Sequence, residues 1–146
     1  MQPIILYSHP YGPNPWNVAL ILEELDIPYT AQCVNSTQVK EVSYTRTNPN
    51  GCLPAIKNPS SDTQLWESGA IVEYLLDTYD KQQKLRYARF FPEYYQTKEW
   101  PYFQVSRQAP YYSQASWFQR LHLERSRVRL TATATRFAVL DSVEGT

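Results

Sequence analysis

Apolar and polar positions along the chain change period several times, and the changes divide it into short elements. Residues 3–8, P-I-I-L-Y-S, are an apolar run bounded by Pro, which predicts a buried strand. After the loop His9-Pro10-Tyr11-Gly12-Pro13, Asn14-Pro15 predicts a helix start. Asn caps exposed N–H groups, and Pro at the first helical position gives up a donor that has no partner there. Val18, Ile21, Leu22 and Leu25 then recur at i, i+3, i+4 and i+7 as one apolar helical face, which stops near Asp26-Ile27-Pro28. Residues 29–34 alternate loosely and predict a second strand parallel to the first, so strand, helix and strand make a right-handed βαβ unit. Residues 38–44 suit a short, irregular helix.

The stretch 48–76 holds the densest set of signals. N-P-N-G-C-L-P-A-I-K-N-P predicts a turn and then a strand beginning near Leu53, followed by a loop at 58–63, a strand at 64–66 and a helix opening after Ser68. The two strands read as an antiparallel hairpin, and the helix presents Val72, Leu75, Leu76 and Tyr79 for burial. Pro54 cannot donate to a sheet ladder, so Leu53-Pro54 belongs at an edge, a bulge or a tight turn. It is also the candidate for a cis bond, which costs only roughly 0.5–1 kcal/mol before Pro and would turn the Leu53 backbone toward a ligand. Trp66-Glu67-Ser68-Gly69 sets a carboxylate and a hydroxyl where strand gives way to helix, and the free N–H groups of such an end favour a bound carboxylate. The element order predicts a mixed four-stranded sheet with helices on its faces.

Residues 80–89 are polar and read as a linker. Residues 92–118 have room for a helix and part of another, but Pro101 breaks the i−4 ladder of a helix running through it at roughly 3 kcal/mol or more. Within residues 120–146, V-R-L-T-A-T-A-T-R-F-A-V-L-D alternates like a strand and contains few strong helix formers, which leaves the conformation of the segment open.

With 146 residues the chain suffices for one ordinary domain, or one with a fragment of another, and its formal net charge of zero supplies no overall field for nucleic acid or an anionic membrane. Cys33 and Cys52 form no C-x-x-C pair, so neither a disulfide scaffold nor a metal site is indicated, and they read as packed thiols. His9 and His122 lack the spacing of metal ligands. No apolar run approaches a membrane span, and Met1-Gln2-Pro3 leads straight into a strand; the expectation is a cytoplasmic protein.

P-N-G-x-L-P-A followed by W-E-S-G-A-I-x-x-Y-L resembles the N-terminal domain of cytosolic glutathione S-transferases. The opening L-Y-S-H-P-Y-G-P-N-P-W-N-V-A-L-I-L-E-E-L is most similar to the fungal branch related to the yeast nitrogen-catabolite regulator and the bacterial nu class. The resemblance is specific over about 4–79 and looser over 91–118. It implies a thioredoxin-like glutathione-binding domain at 1–82, followed at 88–146 by a partial or diverged all-helical domain, shorter than the family's. It also implies a homodimer.

The resemblance implies a site as well. The thiol of glutathione has an ordinary pKa of about 8.5, so an enzyme using it must stabilise the thiolate beside an electrophile. The Leu53 backbone, next to Pro54, is implied as the anchor of the tripeptide's cysteinyl backbone, pairing as an added strand; taken alone, Gly51-Cys52-Leu53-Pro54 reads as a turn. Glu67 and Ser68 are implied for the γ-glutamyl ammonium and carboxylate, beside the helix capping their chemistry also permits. Asn14 is implied as the thiolate's donor, against the alternative that it caps its own helix, with Tyr7 and Ser8 as alternates at the strand end. The related pattern keeps a threonine where Gly12 stands. Lys40 is implied for the glycyl carboxylate, against a solvated charge on a mobile segment. Tyr11 reads as a packing residue, and Tyr111, Tyr112, Trp117 and Phe118 either wall an apolar site or belong to a core. The implied function is conjugation of glutathione, as co-substrate and without a cofactor, to a small apolar electrophile. The alternatives are a non-catalytic glutathione-binding or regulatory protein, or an inactive truncated transferase.

Overall fold

The computed structural model describes residues 2–116 and Phe118; the expectations for Trp117, His122 and 120–146 lie outside them. The chain forms two compact units, one through Tyr102 and one from Phe103. The first contains β1 (Ile4–Ser8), α1 (Pro13–Glu24), β2 (Tyr29–Cys33), a 3-10 turn (Gln38–Lys40), α2 (Val42–Thr45), β3 (Ala55–Asn58), β4 (Thr63–Trp66) and α3 (Ser68–Tyr79). Helix α4 (Pro92–Phe103) reaches its end. The described part of the second unit is a π-helical turn (Gln104–Gln108) and α5 (Ala109–Ser116).

The strands form one mixed sheet in the order β2-β1-β3-β4. β1 and β2 run parallel from Ile4–Tyr29 to Ser8–Cys33, while β3 is antiparallel to both β1 and β4. Strand alternation sorts the two faces. Leu6 and Ile56 oppose each other and join Ile4, Leu22, Ile71 and Leu75 under α1 and α3, a core in which each such side chain contributes roughly 1.5–3 kcal/mol. Tyr7 and Ala55 oppose each other on the other face and pack with Val34, Val39 and Tyr44.

The expected βαβ unit, hairpin and mixed sheet are present, and several local expectations are corrected. Helix α1 starts at Pro13 with Gly12 as its cap residue, so Asn14 is its second residue and makes no cap. Pro13 and Pro15 both fit because the first turn's N–H groups have no intrahelical acceptors. β3 starts at Ala55 rather than Leu53, since Pro54 has no N–H to give the ladder. α3 buries Ile71 and Leu75, with Val72 and Tyr79 at the margin of the core; Leu76 is only half-buried, because the buried stripe runs through Ser68, Ile71 and Leu75. Pro101 does not break its helix: α4 continues through it to Phe103. The ladder loses only the bond that a Pro101 N–H would make to the Thr97 carbonyl, and the helical backbone carries on past it, with wider π-helical hydrogen bonding from Gln104.

The polar segment after α3 is tied down. The Asp80 carboxylate is buried and accepts the N–H groups of Lys84 (2.7 Å) and Leu85 (3.0 Å). Arg86 and Arg89 both pair with Asp77, holding its carboxyl below the usual carboxylate range, chiefly through the Arg86 hydrogen bond. Lys98 of α4 meets Glu73 of α3 at 2.5 Å.

Candidate functional site

The hairpin register decides which candidate residues meet. Ala55 pairs with Trp66 across β3 and β4, and the strands are antiparallel, so Leu53 and Ser68, each two residues beyond that pair, leave the same end of the ladder. Tyr7 pairs with Ala55, which brings the end of β1, and the loop leading to Asn14, to that end too. Leu53, Pro54, Glu67, Ser68, Tyr7, Ser8 and Asn14 therefore converge on one end of the sheet.

Leu53-Pro54 is a cis peptide bond. Since β1 and β3 stop pairing at Tyr7–Ala55, the Leu53 amide lies outside the ladder. The preceding turn is rigid. Asn48, 2% exposed, donates from Nδ2 to the Cys52 carbonyl at 2.7 Å and accepts the Asn50 N–H on Oδ1 at 3.0 Å. Tyr44 Oη donates to the same Cys52 carbonyl at 2.7 Å, and burial pushes this hydroxyl up to about 12. Gly51 takes φ +60°, and a Cβ there would sit 2.8 Å from the Val39 carbonyl, so both backbone and space demand glycine.

At the helix mouth, Glu67 takes φ 70° and ψ 116°. For a residue with a side chain this is a sparsely populated conformation, costing roughly 1–3 kcal/mol and typical of functional sites. The side-chain capping expected there is absent: Glu67 holds the cap position without a cap hydrogen bond, because a capping side chain needs an extended backbone to reach back. The first helical bond runs from Ile71 N–H to the Glu67 carbonyl at 2.9 Å. The N–H groups of Ser68, Gly69 and Ala70 thus have no acceptor within the helix, and with the helix dipole behind them they suit an anion.

Asn14 Oδ1 is buried without a hydrogen-bond partner, and with Gly12 as the cap residue the alternative of self-capping falls away. Tyr7 packs edge-on against Tyr44 with ring centroids 5.7 Å apart, and the Ser8 carbonyl accepts the Val34 N–H at 2.9 Å. Lys40 is no free charge: its ammonium donates to the Asn50 carbonyl at 3.3 Å, against the turn that leads to Leu53. Three packing expectations are corrected. Cys33 and Cys52 are both exposed, the first on the edge strand β2 and the second on the turn, and Tyr11 is 91% exposed on its loop. Tyr44 and Asn48 were not foreseen; Asn48 in N-P-N-G was the available signal, since Asn bonding its own backbone two residues on is a turn former.

A mixed four-stranded sheet with this order, flanked by helices and led into β3 by a cis proline, defines a thioredoxin-like domain. Residues 2–77 match the family described as glutathione S-transferase, N-terminal domain, and the chain belongs to that family. Its relatives include the glutathione S-transferase-like protein gedE of Aspergillus terreus, 50% identical over 113 residues, which are 77% of this chain and 50% of that protein. Protein URE2 of Meyerozyma guilliermondii is 34% identical over 122 residues, 80% of this chain and 40% of that one. Among solved structures, a glutathione transferase homolog from Lodderomyces elongisporus, crystallised with two GSH per subunit, superposes with a TM-score of 0.91 at 33% identity, covering 98% of this chain and 68% of that one. The chain spans about half the length of the curated relatives it matches. No described helix is long and apolar enough to cross a membrane.

Proposed function

We propose that the chain binds glutathione at this end of the sheet and, as a glutathione S-transferase, conjugates it to a small apolar electrophile. The observation that carries the reading is the hairpin register, which sets an amide outside the ladder at Leu53 beside the open helix mouth at Ser68. Leu53, held by Pro54 and the turn, pairs with the cysteinyl backbone as an added strand. The Ser68 hydroxyl and the N–H groups behind it take the γ-glutamyl carboxylate, and Glu67 takes its ammonium. Lys40 meets the glycyl carboxylate. Asn14 donates from its amide to the thiolate at the start of α1, with Tyr7 or Ser8 as alternates, and no further cofactor takes part. The reading includes a glutathione-binding domain at 1–82, a helical one at 88–146, a homodimer and a cytoplasmic setting.

Gly12 favours a second reading, a regulatory protein that binds glutathione without efficient transfer. It brings no hydroxyl, and a Cβ there would already sit 3.3 Å from Pro15 Cδ, so space for one is short. Titration calorimetry with glutathione, followed by a chloronitrobenzene conjugation assay on the same sample, separates the two. Binding with turnover supports the enzyme, binding without turnover the regulator, and no binding removes both.

A further inference from the structure

The peptide unit that carries the Leu53 N–H also carries the Cys52 carbonyl, and that carbonyl is held from two sides. Tyr44 Oη and Asn48 Nδ2 each donate to it at 2.7 Å, filling both lone pairs. Among the peptide bonds of the described residues only Leu53-Pro54 is cis, so Cys52-Leu53 is trans and planar, with its N–H directed opposite to its C=O. Fixing the oxygen fixes the direction of the hydrogen. Two donors on one carbonyl also polarise the amide, which strengthens the N–H as a donor.

The holding groups are themselves immobilised. Tyr44 is 6% exposed, and its ring meets Tyr7 edge-on. Asn48 is 2% exposed, its own N–H bonds the Tyr44 carbonyl at 3.1 Å, and its Oδ1 takes the Asn50 N–H. The grip therefore joins α2, the turn and the end of β1 into one rigid piece, and the amide it aims is the one next to Pro54.

We infer that Tyr44 and Asn48 are positioning residues for glutathione: by gripping the Cys52 carbonyl they aim and polarise the Leu53 amide that receives the tripeptide's cysteinyl backbone. This rests on the proposed glutathione site. Neither side chain touches the ligand; both act through the Cys52-Leu53 peptide.

The test compares the wild-type chain with Tyr44→Phe, which keeps the ring and removes one donor, and with Asn58→Ala, which removes a buried polar network at the far end of β3 and controls for lost stability. Glutathione affinity is read by calorimetry, and the Leu53 amide by its 15N–1H resonance in the free protein. The expected result is that Tyr44→Phe shifts the Leu53 resonance before any ligand is added and weakens glutathione roughly three- to ten-fold, the loss expected for one hydrogen bond, while Asn58→Ala lowers Tm and leaves both readouts alone. If wild-type protein binds glutathione and Tyr44→Phe binds it equally well with an unmoved Leu53 resonance, the positioning role is overturned and the site stands. Equal weakening by both variants overturns it too, as an effect of stability alone. If wild-type protein does not bind glutathione, the site itself is wrong and the positioning role goes with it.

Discussion

Lys40 reaches across Gly51 to donate its ammonium to the Asn50 carbonyl at 3.3 Å, and a Cβ built on Gly51 would lie 3.1 Å from that same Nζ and 2.8 Å from the Val39 carbonyl. The turn before Leu53 is thus closed from above by a charge and from below by backbone. Gly51→Ala introduces both a clash with backbone and a left-handed residue with a side chain, so it should cost about 1–3 kcal/mol and weaken glutathione as well. Urea unfolding and a glutathione titration read the two effects, and an alanine variant as stable as wild type would contradict the account.

Glu67 sits at φ 70°, and its carboxylate is exposed at the helix mouth. Glu67→Gly releases the strained backbone while removing the carboxylate. Stability should hold or rise, by up to about 2 kcal/mol, as affinity for glutathione falls. Loss of stability together with unchanged affinity would mean that the conformation serves the fold and not a ligand.

Asn14 does not cap α1, so removing its side chain leaves the helix start intact. Asn14→Ala should leave Tm nearly unchanged and glutathione affinity within about two-fold, but raise the pKa of the bound thiol and lower kcat. The ultraviolet absorbance of the bound thiolate, followed against pH, measures the shift.

Tyr44 carries a stability signature at alkaline pH. Its hydroxyl is pushed up to about 12 by burial, against 10.0 for the unfolded chain. Below pH 10 both states keep the proton and the contribution is complete. Between pH 10 and about 12 the unfolded state loses a proton that the folded state retains, so stability falls as pH rises. Tyr44→Phe should remove this part of the alkaline loss, which urea midpoints of the two proteins between pH 9 and 12 would detect.

Asn58 is 1% exposed and donates to both Tyr74 Oη (2.8 Å) and Tyr79 Oη (2.6 Å), pinning the hairpin turn to α3. Asn58→Ala leaves those hydroxyls to find other partners and should cost about 1–3 kcal/mol, with glutathione affinity of the folded protein unchanged. Thermal unfolding and calorimetry on one sample provide both numbers.

The sheet was legible because its signals are local. Apolar runs bounded by Pro predict β1, and N-P-N-G and P-S-S-D bracket β3 with turn chemistry; the antiparallel return then follows from a short connection. Less legible was anything set by tertiary contact. Ile71 lies on the buried stripe of α3 because α1 packs there, which the spacing of Val72, Leu75, Leu76 and Tyr79 alone does not reveal. The cap falls at Gly12 and not at Asn14 because Pro13 starts the helix two residues earlier than Asn14-Pro15 suggests. At the site, L-P-A and W-E-S-G carried the candidate residues, whereas the grip of Tyr44 on Cys52 joins residues on two elements and leaves no pattern in sequence.

Whether Leu53 and the mouth of α3 grip one glutathione molecule is read by a glutathione titration followed in 15N–1H spectra of the assigned chain. The amides of Leu53, Ser68, Gly69 and Ala70 should move together with one saturation curve, while those of residues 58–62 at the far end of the hairpin stay still. Movement confined to the far end, or of the Leu53 amide without the three of the helix mouth, would contradict it.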